Sequence, residues 1–372
     1  EQPVFPAKEI FERLDPSRIY KGDWMQFRHR QQGEFLHELA KYAPFDIGLS
    51  HVGLSDEGRV LHTLRFGNGP RRVMVWARQH GDEADCTAAL MMALTELILY
   101  CEEPQYALIL DRLELGILPM VNPDGVARFT RRNAQGIDLN RQAIAQAAPE
   151  ARALMQIKKS LDPEFCFNLH DMNGRKTTPS GDLVSLAFQA GPFEPKGLDN
   201  ETRLKAKNIC GIMATLAREY TPRNVCRYTA DYMHRAFGDS MMRMGVVSVL
   251  IEAGGWFEDE GGDDFVRRLY ALCFLRGLYA VAIGEEEPAT GELYETIPFD
   301  TTKVFVDRVL EKAYVLNGAG RPPFRADIAV NVDRIAGRPH DPIVIESGIV
   351  NIGDLEDERA KYRHSLEQHL LM

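Results

Sequence analysis

Arg72-Val-Met-Val-Trp-Ala-Arg-Gln-His80-Gly-Asp-Glu83 is the stretch on which the fold turns. Its first six residues are apolar without alternation after Arg72, the mark of a strand buried on both faces, as in a parallel sheet. From Glu83 to Cys101 apolar residues recur at three-to-four spacing, which predicts a long helix. His80 and Glu83 therefore stand on the loop at the carboxyl end of a strand, where open α/β sheets bind their ligands. Phe165-Cys-Phe-Asn-Leu-His170 repeats the pattern, as does Val246–Ile251 followed by Glu252-Ala-Gly-Gly255.

Working outward, helical spacing covers Arg30–Tyr42, Pro149–Ser160, Asn200–Glu219 and Asp263–Ile283. Strands are predicted at Asp46–Leu54, Val60–Phe66, Leu113–Met120 and Leu183–Phe188, with a turn at Asn122-Pro-Asp-Gly125. Strands alternating with helices predict an α/β fold: a mixed, largely parallel central sheet with helices on both faces. The acidic Glu285–Gly291 reads as a linker. Short strands at Lys303–Val306, Ala326–Val332 and Ile343–Ile352 follow, then a polar helix at Asp357–Leu371. The expected division is an N-terminal helical extension (1–44), a catalytic domain (45–284) and a small, mostly β accessory domain (285–372).

Composition narrows the function. The 44 basic and 54 acidic residues give a net charge of −10 and include no dense basic tract, which argues against nucleic acid. No apolar run reaches the 18 residues of a membrane span, and no secretory leader is recognised. Six scattered cysteines are too few for a disulfide scaffold and slightly favour the cytoplasm. A periplasmic or secreted location stays open if a leader was removed.

Two imidazoles and a carboxylate, His80, His170 and Glu83, form the ligand set of a catalytic zinc site with one position left for water. Glu252 is an acid at the end of a buried strand, costly there unless it is paired or functional. His51, His62, His234 and His340 lack such company and are expected to be structural or exposed.

With Ser55-Asp-Glu-Gly-Arg59, His80-Gly-Asp-Glu83, Val121-Asn-Pro-Asp-Gly125, Arg132-Asn-Ala-Gln-Gly-Ile-Asp-Leu-Asn-Arg141, Leu169-His170 and Ile251-Glu-Ala-Gly-Gly255, the sequence resembles the zinc carboxypeptidase (funnelin) family over about residues 45–284. The Arg132–Arg141 string is most similar to the bacterial branch of murein peptide amidases. The resemblance implies one Zn²⁺ per chain on His80, Glu83 and His170, with Glu252 as general base and then acid. It implies Arg132 as oxyanion stabiliser, and Asn140 and Arg141 as the grip on a terminal carboxylate. A tyrosine covering the bound substrate would be Tyr228 or Tyr232. The substrate would be a peptide or murein peptide with a free carboxylate.

Two departures bear on substrate. Gln142-Ala-Ile stands where many relatives have an aromatic-Pro pair, and Asp171-Met-Asn173 stands in place of a Ser-type continuation. Competing expectations are a related zinc N-acyl amino acid deacylase and a non-catalytic peptide-binding relative.

Overall fold

The computed structural model describes residues 2–15, 17–18, 20–229, 231–316, 318, 320–338 and 341–366. Eight strands form the central sheet: β1 (Ser50–Leu54), β2 (Val60–Phe66), β3 (Arg71–Trp76), β4 (Leu113–Leu118), β5 (Phe165–Asp171), β6 (Leu186–Ala190), β7 (Val225–Arg227) and β8 (Val247–Ala253). Their order is β1-β2-β4-β3-β5-β8-β6-β7. The central run β4-β3-β5-β8 is parallel, while β2 meets β4 and β6 meets β8 antiparallel. The sheet is therefore mixed and largely parallel, as the alternating pattern predicts.

Helices cover both faces because the central strands have no polar face to expose. Val73, Met74, Val75 and Trp76 are all fully buried, as are Cys166, Phe167 and Leu169 of β5. Helices Asp85–Leu99, Glu201–Tyr220 and Gly262–Ile283 share the larger core with the sheet, and Pro149–Leu161 lies in a second cluster on Trp76 and Cys166. The N-terminal helices Ala7–Arg13 and His29–Tyr42 send Ile10, Phe35, Leu36 and Leu39 into the larger core. At about 1.5–3 kcal/mol for each large side chain buried, that segment is held firmly against the sheet.

The Glu285–Gly291 stretch is docked as well. Asn208 donates its amide to the carbonyls of Glu286 and Pro288, and Tyr294 beyond it enters the main core. A four-stranded sheet follows: β9 (Val306–Val315), β10 (Phe324–Arg338), β11 (Asp341–Gly353) and β12 (Ala360–Ser365), in the order β11-β10-β9-β12. The expected terminal helix is corrected here. Ala360–Ser365 is a strand running parallel to β9, and residues 367–371 lie outside the described residues. The open edge of β9 supplies ladder hydrogen bonds that outweigh the weak helical preference of a short, charged segment. Among the described residues, no helix is long and apolar enough to cross a membrane.

Candidate active site

Three neighbouring strands end together and carry the site. β3 lies beside β5 and β5 beside β8, with His170 opposite Glu252 in the parallel register. His80 and Glu83 reach the same point from the loop after β3. Arg78, at φ 56°, turns that loop, and its Nε donates to the Gly81 carbonyl. Gly81 admits no side chain, since a Cβ there would lie 2.1 Å from the carbonyl carbon of Gly125. The Asn122–Gly125 turn is therefore the buttress of the loop. It is fixed by the Asn122 side chain accepting from Gly125 N–H and by Asn122 N–H donating to the Arg78 carbonyl.

The three expected ligands converge. Their donor atoms lie within 4.8 Å of one another, and all three residues are buried. Glu83 spans the two imidazoles, its Oε1 2.5 Å from His80 Nδ1 and its Oε2 2.7 Å from His170 Nδ1. His80 Nε2 sits 3.3 Å from Asp138 Oδ1, the arrangement in which an outer carboxylate fixes the tautomer and frees the other nitrogen for a metal. His170 Nε2 is buried without a partner among the described residues. Two imidazoles sharing one carboxylate, with an outer carboxylate behind, fit a single divalent cation.

Charge follows the same geometry. Burial works against protonation of His80, but Glu83 and Asp138 outweigh it and raise its pKa to about 9. Burial lowers that of His170. Glu83 is held well below the ordinary carboxylate range because both imidazoles overcome its desolvation. Glu252 moves the other way: burial, then the charges of Glu83 and Asp171, push it well above that range. Its Oε2 is buried with no partner among the described residues.

A cavity of about 490 Å³ holds this cluster together with Asn140, Arg141, Tyr228, Lys176 and Asp239. Asn140 is anchored by accepting from Phe237 N–H at 3.0 Å, and Arg141 by donating to the Asn140 carbonyl at 2.7 Å. Tyr228 lines the cavity, with Lys176 Nζ 5.6 Å from its ring centroid, and the Glu252 charge raises the phenol's pKa. Tyr232 lines a neighbouring cavity instead.

Arg132 requires correction. Its guanidinium donates to the Gly136 carbonyl, away from the cluster. Arg131 lines the cavity, with Nη1 3.2 Å from His80 Nδ1 and Nη2 3.1 Å from Asp138 Oδ2. Sequence reasoning also passed over Asp138, which joins Arg131, His80 and the Asn140 backbone N–H. Its place two residues before Asn140 was the available signal. Lys176 carried none.

The zinc carboxypeptidase family model matches residues 33–182. Carboxypeptidase 2 of Trichophyton tonsurans is 27% identical over 169 residues, 45% of this chain and 29% of that protein. Carboxypeptidase M of Mus musculus is 24% identical over 297 residues, 70% of this chain and 62% of that one. The chain thus spans less than two-thirds of the length of either relative. Among solved structures, carboxypeptidase A of Helicoverpa armigera superposes with a TM-score of 0.55 at 18% identity, covering 75% of this chain and 80% of that one. A metallo-carboxypeptidase from Burkholderia cenocepacia gives 0.51 at 20%, covering 69% of each chain. These likenesses establish the shared fold. The matched segment, 150 of the 372 residues, is similar to zinc carboxypeptidases, and the fold is theirs.

Proposed function

We propose that the chain is a zinc-dependent carboxypeptidase-type hydrolase that cleaves an amide bond next to a free carboxylate, in an ordinary or a murein peptide. The observation that carries the reading is one cavity shared by the His80–Glu83–His170 cluster, the unpartnered Glu252 and the Asn140–Arg141 pair. A bound zinc ion supplies Lewis acidity and acidifies water at this point. Arg141 and Asn140 hold the terminal carboxylate, the guanidinium offering two parallel donors. Arg131 places a fixed cation beside the scissile carbonyl, where negative charge develops. Glu252, desolvated and proton-avid, takes a proton from the attacking water and passes it to the departing amine. Tyr228 closes the cavity over the substrate.

The test is Glu252→Gln. The variant should keep its zinc, measured by elemental analysis, and lose turnover by about 10²–10⁴-fold. An unchanged rate would show that the base is wrongly assigned. Exclusive turnover of small N-acyl amino acids over peptides with free carboxylates would replace the peptidase by a deacylase. Tight peptide binding at full zinc occupancy without hydrolysis would replace it by a binding protein.

A further inference from the structure

The segment that leads into β9, residues 298–304, does not line the metal-side cavity, yet it runs between two loops that do. One loop follows β5 and carries Lys176 to the cavity, and the other follows β7 and carries Tyr228. Backbone hydrogen bonds join the segment to both: Thr301 N–H donates to the Thr177 carbonyl, and Arg227 N–H to the Pro298 carbonyl. At its centre stands Asp300, whose side chain is 1% exposed.

The two oxygens of Asp300 serve different loops. Oδ2 accepts from Lys176 Nζ at 2.5 Å, and Oδ1 accepts from Thr229 N–H at 2.8 Å. Its own N–H donates to the Arg227 carbonyl, so the residue also grips the end of β7. We propose that Asp300 is a positioning residue for catalysis: it fixes the loop that carries Tyr228, so that the ring stands at the cavity before a substrate arrives. This rests on the peptidase reading, in which Tyr228 covers the substrate, and adds a residue from outside the cavity to it.

Packing alone does not call for an acid here. A buried charge is costly unless it is paired, and an apolar side chain would fill the space without that cost. The carboxylate is satisfied on both oxygens, and both donors belong to loops of the site. The hold matters most on the Tyr228 side. Tyr228 N–H makes the last bond to the sheet, donating to the Phe188 carbonyl, and the ring packs against the Val184, Ala187 and Cys226 cluster. Thr229 is exposed, and among the described residues the next anchor along the loop is Met233 N–H on Asp239. His80, Glu83, His170 and Glu252 are held instead at the ends of β3, β5 and β8. Loss of Asp300 should therefore reach substrate binding and spare the metal and the chemical step.

The experiment measures kcat and KM separately on trialanine for the zinc-loaded parent, Asp300→Asn, Tyr228→Ala and the double variant. Asparagine keeps the shape but only one acceptor oxygen, so it cannot serve both donors. Asp300→Asn should raise KM about tenfold or more, the size of a lost charge-assisted hydrogen bond, with kcat within about threefold. In the Tyr228→Ala background the same substitution should add less than about twofold, because the ring it positions is gone. Thr229→Pro deletes the donor at an exposed position and leaves the buried charge in place. It should repeat the rise in KM, and it carries the test should Asp300→Asn not fold. An unchanged KM, the same penalty in both Tyr228 backgrounds, or loss of zinc from Asp300→Asn overturns the proposal. Turnover by the parent reports the peptidase reading by itself. If the parent does not cleave, the calorimetric Kd for trialanine replaces KM in the same comparison and decides the role of Asp300 alone.

Discussion

The two sheets of this chain are built on opposite terms. In the eight-stranded sheet β3, β5 and β8 are buried on both faces, and helices close over them. Among the described residues, the core cluster of the four-stranded sheet is small, Val306, Val309, Ala329 and Leu355, and Ile345 and Ile349 are 70% and 61% exposed. One sheet can hold side chains at fixed separations because its neighbours allow no movement. The other has too little apolar burial to stand by itself, and it depends on where it is tied. One tie among several is Arg175, just past β5. Its guanidinium reaches Asp307, Asp333 and the Val332 carbonyl at 2.7–2.9 Å, and its own carbonyl accepts from Phe305 N–H.

This contrast predicts the largest effect at Phe167. Phe167→Ala leaves a cavity under β5 against Phe274 and Gly277, and should destabilise the protein by about 3–5 kcal/mol. Urea unfolding followed by circular dichroism is the measurement. A loss below about 1 kcal/mol would mean that the central sheet is not the rigid partner.

Arg175→Ala should come next, at roughly 2–3 kcal/mol, because it strips partners from a half-buried carboxylate. The loss should be local, with protease cuts appearing within 306–366 while the central sheet stays protected. Uniform loss of protection would deny that the small sheet is a dependent unit.

The sequence made the first kind of region legible and the second kind only in part. Uninterrupted apolar runs mark β3, β5 and β8, and the chemistry sits where those runs end, so His80, Glu83, His170 and Glu252 could be named together. The choice between Arg131 and Arg132 could not be made that way. Both lie in an irregular loop shaped by Asn133, whose side chain accepts from Gln135 and Ile137 N–H, and no periodicity reports which neighbour faces inward. Tyr228 and Tyr232 posed the same difficulty. The strand β12 was hidden for another reason: its partner β9 begins 54 residues earlier, at the Ala360–Val306 pairing, and non-local pairing leaves little local trace. Likewise Lys176 gains its place through Asp300, 124 residues away, whose other oxygen accepts from Thr229 N–H beside Tyr228.

The smallest and most discriminating prediction sets two carboxylates against each other by pH. Asp239, in the metal-side cavity, has burial as its main influence, and its pKa rises to about 6 from the ordinary 3.8. Asp307, at the junction of the sheets, is also penalised by burial, but Arg175 and the Val332 N–H outweigh that and hold it below its ordinary value. A raised carboxylate gives stability that is complete below its unfolded pKa and is lost as pH climbs through its folded one. Asp239 therefore weakens the central region between about pH 4 and pH 6. A lowered carboxylate does the reverse, so the junction weakens as the solution turns acid. Asp239→Asn should match the parent near pH 4 and exceed it by about 1–2 kcal/mol at pH 8, a figure reduced for water at the cavity mouth. Asp307→Asn should cost stability at pH 8 and progressively less toward pH 3. Urea midpoints across that range are the check, and parallel pH profiles for the two variants would erase the electrostatic distinction between the regions.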